Sequence, residues 1–175
     1  MTNLFVLLVQ ALWFIAPAYA ANSFPPIMKG TRPIDGNKTF RGKRMLGDGK
    51  TVEGTLGGFF FALGIGLIQI AVQQNLAPLN FSLMEMTPVL IMLLAAGALI
   101  GDMVASFFKR QIGFKRGDPV LLLDQLDFVV MAFLFASLVT TIPLAMLVII
   151  LVITPPLHLI TNVFGYLVKL KRNPW

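Results

Sequence analysis

Hydrophobic positions along this chain gather into long uncharged runs, not into the alternation of a strand or the one-sided stripe of a surface helix. A hydrocarbon core about 30 Å thick takes about 20 residues of helix. Five runs reach that length: residues 3–21, 55–75, 87–108, 120–141 and 144–168. The first, second and fifth carry no charge, the third only Asp102, and the fourth only Asp124 and Asp127. The pattern predicts an all-α integral membrane protein, a single membrane domain over 1–175 with five transmembrane helices, whose cytoplasmic segments are 22–54 and 109–119. Ala18-Tyr19-Ala20 imitates a signal-peptidase site, but no Lys or Arg precedes the apolar run, so the first helix is expected to be retained.

Basic residues in short loops collect on the cytoplasmic side, and the 14 here obey that rule on the five-span scheme. Lys29, Arg32, Lys38, Arg41, Lys43, Arg44 and Lys50 lie between spans one and two. Lys109, Arg110, Lys115 and Arg116 follow span three, and Lys169, Lys171 and Arg172 follow span five. The other connections hold none, which places the N-terminus outside and the C-terminus in the cytoplasm.

Composition narrows the chemistry. Of 175 residues 57% are hydrophobic and 13% charged, with a mean hydropathy of +0.81, so water is not the chain's only solvent. A net charge of +6 on so apolar a chain points to anionic lipid or nucleotide phosphates, and not to nucleic acid. Cys is absent and His occurs once, which excludes disulfides, thiol nucleophiles, Cys/His zinc sites and any mechanism needing two imidazoles.

Ionisable groups inside membrane spans are costly and mark function. Asp102 stands seven residues, or about 10 Å of helix, before Lys109, and on the returning span Asp124 and Asp127 stand about 8 to 12 Å in. All three carboxylates therefore reach one layer just beneath the cytoplasmic surface. Asp102, Ser106 and Lys109 share one helix face; Asp124 and Asp127, at i and i+3, share another. Two carboxylates so close repel unless a cation lies between them or one keeps its proton. Oxygen ligands without Cys or His favour a hard ion, Mg2+ first. The plainer reading is a structural ion network with Lys109, Arg110 or Lys115. Segment 22–54 adds seven bases to repeated glycines, and LGDGKT, Leu46 to Thr51, has the composition of a phosphate cradle. A solvated basic loop is the bland alternative, and the glycine spacing is not that of a Walker A loop.

The run SFFKRQIGFKRGDPVLLLDQLDF, Ser106 to Phe128, resembles the Ser, Lys-Arg, Lys and closing Asp-x-x-Asp pattern of the CDP-diacylglycerol synthases, which are CTP-dependent phosphatidate cytidylyltransferases. It departs from the bacterial form at Arg116, where an Asp is usual, and at Leu121 to Leu123, which replace a His-Gly-Gly. The five-span length, GKRMLGDGKTVEG from Gly42 to Gly54, Gly101-Asp102 and DQLDF are similar instead to the archaeal branch, the CDP-archaeol synthases. That resemblance covers about a third of the chain.

It implies a multi-pass cell-membrane enzyme that moves a cytidylyl group from CTP to the phosphate of an unsaturated geranylgeranyl glycerol diether, releasing pyrophosphate, with Mg2+ and the site at the cytoplasmic face. Asp124 and Asp127 are then the expected principal metal ligands, with Asp102 as a further ligand or anchor. Ser106, Lys109, Arg110 and Lys115 are expected at phosphates. Lys43, Arg44, Lys50, Thr51 and the backbone of Gly47 to Gly49 would close over CTP. A lipid phosphomonoester is largely a dianion near neutral pH, so no general base is needed and the shortage of histidine ceases to be a puzzle. His158 is read as a packed residue, Pro155-Pro156 as a kink, and Gly97 with Gly101 as a close-packing GxxxG within one subunit or between two. The alternatives are the same chemistry on ester-linked phosphatidic acid, or a small transporter. The latter expects ionisable groups at mid-bilayer and repeated halves, which the sequence lacks.

Overall fold

The computed structural model describes residues 3–28, 30–76, 78, 82–115, 118, 120 and 122–170. Lys29, Arg116, Leu121, Lys171 and Arg172 lie outside the described residues. In chain order come α1 (Leu4–Ser23), α2 (Pro25–Met28), β1 (Thr39–Phe40), β2 (Lys43–Arg44), α3 (Val52–Leu76), α4 (Pro88–Ile112), α5 (Leu123–Ala136) and α6 (Leu144–Leu167).

Among the described residues four helical stretches are long and apolar enough to cross a membrane: Leu4–Met28, Val52–Leu76, Pro88–Ile112 and Leu144–Leu167. The expected span over 120–141 is shorter than the sequence pattern gives. α5 holds 14 residues, about 21 Å at 1.5 Å per residue. Its start is set by Leu122, whose φ of 66° no helix accommodates. Its end is a turn at residues 137–139, followed by non-helical residues up to Pro143, a residue that disfavours helix immediately before it. α4 runs one turn past its expected end and carries Lys109 and Arg110 in that turn, where cations suit the helix's negative end.

The basic segment is not free of strand. Thr39 pairs with Arg44 and Phe40 with Lys43 across a two-residue turn, and Arg41 and Gly42 both take positive φ, 51° and 76°. Such a turn matches the twist of a short hairpin, and the bond from Met45 N–H to Lys38 O closes its open end.

α4 is the centre of the bundle, packed against α5, α1 and α3, while α6 touches α1 and α5. The core is the meeting of Phe14, Ile15 and Ala18 of α1 with Leu94, Ala95 and Ala98 of α4 and with Val129, Ala132 and Phe133 of α5. α4 and α5 approach each other closely at two glycines. A Cβ at Gly97 would stand 2.7 Å from Met131 O, and one at Gly101 would stand 2.5 Å from Asp127 O. The GxxxG therefore packs two helices of one chain backbone to backbone. Because Asp102 follows Gly101, the same contact fixes Asp102 beside the first turns of α5.

Candidate active site

Asp35 organises the loop that carries Lys50. Its side chain is 1% exposed and forms an ion pair with Arg44, Nη2 to Oδ1 at 2.9 Å. It also accepts the backbone N–H groups of Asn37, Leu46 and Gly47 at 3.1, 3.0 and 3.1 Å. Burial of the carboxyl opposes its ionisation, but the bonds from Arg44 and from Leu46, Gly47 and Asn37 outweigh burial and hold it well below the usual carboxylate range. The far end of the loop is tied by Ile34 N–H to Lys50 O at 2.9 Å and by Val52 N–H to Arg32 O at 2.9 Å. Thr51 Oγ1 accepts Gly54 N–H at 3.1 Å, the geometry of a helix cap. So fixed, the loop aims Lys50 at α4, where its Nζ contacts Asp102 Oδ2 directly.

A second lysine answers the second helix. Lys109, 8% exposed, sets its Nζ 2.9 and 2.8 Å from the two oxygens of Asp124 and 2.7 Å from Asp118 O. Asp124 lies in the first turn of α5, at the positive end of the helix dipole, and it accepts Val120 N–H at 3.0 Å. Asp127 lies one turn further, its Oδ1 accepting Phe128 N–H at 2.6 Å. Asp102, Lys50 and Asp124 are the charges that act on it. Among the described residues no three acidic or imidazole side chains close on a single metal position. Two of the three aspartates are each engaged by an ammonium group instead.

These groups open into a cavity of about 630 Å³. Lys50, Asp102, Ser106, Lys109, Arg110 and Asp124 line its charged end, and Gly49 lines it too. Arg110 is only partly satisfied: Nη2 donates to Lys115 O at 3.1 Å, but the buried Nε has no hydrogen-bond acceptor among the described residues. A buried donor left so is expensive unless something arrives to accept from it, and a phosphate oxygen would serve.

Other expected residues stand outside that lining. Arg44 pairs with Asp35 and Asp48, Lys43 donates to Gln111 O, Gly47 serves Asp35, and Thr51 caps α3. Lys115 closes the turn beyond α4 through its backbone N–H to Asp118 Oδ2 at 2.6 Å. Asp127 does not line the cavity; its backbone abuts Gly101. The structure thus gathers Asp102, Ser106, Lys109, Arg110, Asp124, Gly49 and Lys50 on the cavity. It gives the others supporting positions.

The opposite wall carries residues that sequence reasoning left aside. Tyr19 of α1 and Thr154, His158 and Asn162 of α6 line the same cavity. Tyr19 Oη and Thr154 Oγ1 are 2.7 Å apart, Asn162 Nδ2 and His158 Nδ1 are 3.2 Å apart, and the rings of His158 and Phe128 have centroids 6.4 Å apart. The available signal was the i, i+4, i+8 spacing of 154, 158 and 162, which makes one stripe on an otherwise apolar helix.

Comparison with known proteins then adds what geometry alone does not. Residues 4–175 match the family model described as "CarS-like: CDP-archaeol synthase". A CDP-archaeol synthase of Methanococcoides burtonii is 43% identical over 174 residues, covering 91% of this chain and 99% of that protein. One from Pyrococcus abyssi is 40% identical over 167 residues, with 95% and 97% covered. A solved structure of an intramembrane enzyme for archaeal membrane lipid biosynthesis superposes with a TM-score of 0.73 at 36% identity, covering 89% of this chain and 94% of that one.

Proposed function

The chain belongs to the CDP-archaeol synthase family, and from that membership and the shape of its cavity we propose how it works. It is a membrane enzyme that transfers CMP from CTP to an archaeal lipid phosphate. The acceptor is an unsaturated geranylgeranyl glycerol diether phosphate, and the charged end of the cavity faces the cytoplasm. The N-terminus is outside and the C-terminus inside, with α5 and the turn after it as a short fifth crossing. Two observations support that orientation. The basic loop and the last turn of α4 meet at one end of the bundle, Lys50 on Asp102 and Lys43 on Gln111 O. Gly165 and Leu170, at and just past the end of α6, line the same cavity as Lys50 and Lys109, so the chain between α4 and α6 must travel to the far end, from which α6 returns.

In the reaction an oxygen of the lipid phosphate attacks the α-phosphorus of CTP, and the bond to the β-phosphate oxygen breaks to release pyrophosphate. The acceptor's second ionisation lies near pH 6, so it arrives deprotonated and the enzyme's task is placement and charge neutralisation. Lys50, Lys109, Arg110 and Ser106 receive the triphosphate. Lys50 and Lys109 exchange their carboxylate partners for phosphate oxygens, and Arg110 Nε gains the acceptor it lacks. The carboxylates so released, Asp102 and Asp124 with Asp127 behind them, would have to draw together to hold Mg2+, and their hard oxygens are the donors that ion takes. When bound, that ion would neutralise the triphosphate and favour departure of pyrophosphate. The Asp35-centred loop holds Lys50 in place, and Arg44 acts through that loop.

One observation carries this reading: a single cavity joins a cluster of bases and acids to a wall built from two membrane helices, so a water-borne triphosphate and a lipid can meet in it. Purified protein given labelled CTP, Mg2+, and diether and diester phosphates side by side should form labelled CDP-lipid chiefly from the diether. Absence of labelled lipid with both acceptors would end the proposal.

A further inference from the structure

The hairpin of β1 and β2 stands where α4 leaves the membrane. Cross-strand partners share one face of a hairpin, and the pair Phe40 and Lys43 turns toward α4. The Phe40 and Phe107 rings have centroids 5.8 Å apart, Lys43 Nζ donates to Gln111 O, and Gln111 Nε2 returns a bond to Arg44 O at 3.4 Å. The side of α4 it meets is apolar. Ile100, Val104, Phe108 and Ile112, four residues apart, are all exposed and form the stripe that a spanning helix presents to lipid. Phe107 meets Phe108 of that stripe edge to face at 5.8 Å, and it lies two residues, about 3 Å of helix, before Lys109. Phe40, itself 46% exposed, therefore continues the lipid-facing surface of α4 onto the hairpin, at the level where hydrocarbon gives way to headgroups.

Charge completes the surface. Lys38 and Arg41, exposed on either side of Phe40, pair with no acid among the described residues. The Arg41 guanidinium carbon lies 5.4 Å from the centroid of the Phe40 ring. The two acids of this loop are engaged elsewhere, Asp35 and Asp48 both on Arg44. We propose that the hairpin docks on the anionic headgroups of the bilayer, with Phe40 in the interface and Lys38 and Arg41 on lipid phosphates. An aromatic ring between two bases whose stems can lie along apolar surface suits that layer, whereas a nucleic acid would need a basic face turned to water. The proposal goes beyond the transferase reading and does not rest on it. Its consequence reaches the cavity, because Arg44 of β2 holds Asp35, and Asp35 holds the loop that aims Lys50. A docked hairpin ties that loop to the membrane surface from one side as Asp35 ties it from the other.

The chain has no cysteine, so Thr39→Cys, at an exposed position next to Phe40, takes a single bimane probe. In nanodiscs of brominated phosphatidylcholine, exchanging about a third of the lipid for equally brominated phosphatidylglycerol should raise bromine quenching of the probe about twofold, and about 1 M NaCl should return it to the phosphatidylcholine level. Lys38→Gln combined with Arg41→Gln should abolish the rise, and Phe40→Ser should lower quenching in both membranes. Quenching that is the same with and without phosphatidylglycerol, or a rise that the double glutamine variant keeps, overturns the proposal. If the double variant does not fold, the response of the Thr39→Cys protein to lipid charge and salt decides by itself. None of these readouts involves CTP, so protein that forms no CDP-lipid tells against the transferase reading alone.

Discussion

α4 meets α5 with glycine against backbone at two successive positions, whereas α6 touches α1 and α5 along a wall that is partly cavity. Half of α4's apolar window is buried, against 17% of α6's. The difference follows what each contact positions. The carboxylates proposed to act together need a fixed spacing between their helices, and backbone-to-backbone packing provides it because no side chain intervenes between the two backbones. A long lipid needs a way in, and a helix with few packing partners can give it one. The rigid pair and the loose wall face each other across the same space.

The largest effect in breaking the rigid side should come from Asp127→Asn. CDP-lipid formation should fall on the order of 10³-fold, while the protein still elutes as a folded species in detergent. Near-normal turnover would remove Asp127 from the site. Next is Gly101→Val, which forces α4 away from the Asp127 backbone and should cost about 1–3 kcal/mol of stability, read as a lower melting temperature together with lost activity. Gly64→Val is the control, since a Cβ there meets nothing within 4 Å; it should change neither. Lys50→Ala should act more mildly, raising the CTP KM about tenfold with kcat little changed. An unmoved CTP dependence would separate the loop from the nucleotide.

The smallest effect concerns pH at the Asp35 hub. Its carboxyl is held below the usual range, so the stability it gives the loop is complete above the unfolded value of about 3.9 and is lost as pH falls through the lower folded value. Protease resistance of the loop should therefore stay flat from pH 8 to pH 5. A loss of resistance between those limits would contradict the hub.

The stripe Asp102, Ser106, Lys109 and the pair Asp124, Asp127 could be read from spacing, because helical periodicity fixes which side chains are neighbours without knowledge of the fold. The use of Gly97 and Gly101 was half legible: the motif announces close packing, but only the fold shows that the partner is α5 of the same chain. Asp35 was not legible, since its partners at 37, 44, 46 and 47 are brought to it by turns at Gly36, Asn37 and Gly47 that composition does not order in space. The hairpin left a faint sign in Thr-Phe-Arg-Gly, a β-favouring pair before a residue that tolerates positive φ. The short length of α5 escaped because residues 137–142 carry no charge and hydropathy does not register where helical φ ends. His158 escaped for a related reason. The 154, 158, 162 spacing marks a polar stripe on α6, but only the neighbours Tyr19 and Phe128 show that it lies inside.

The central claim is that the aspartates and lysines of the charged end receive CTP together with a divalent cation. Calorimetric titration of CTP into detergent-solubilised protein, with and without Mg2+, tests it most directly. Wild-type protein should bind CTP at least about tenfold more tightly with Mg2+, and Asp127→Asn should lose that gain while keeping the metal-free affinity that Lys50, Lys109 and Arg110 supply. The same Mg2+-dependent gain in both proteins would contradict the account.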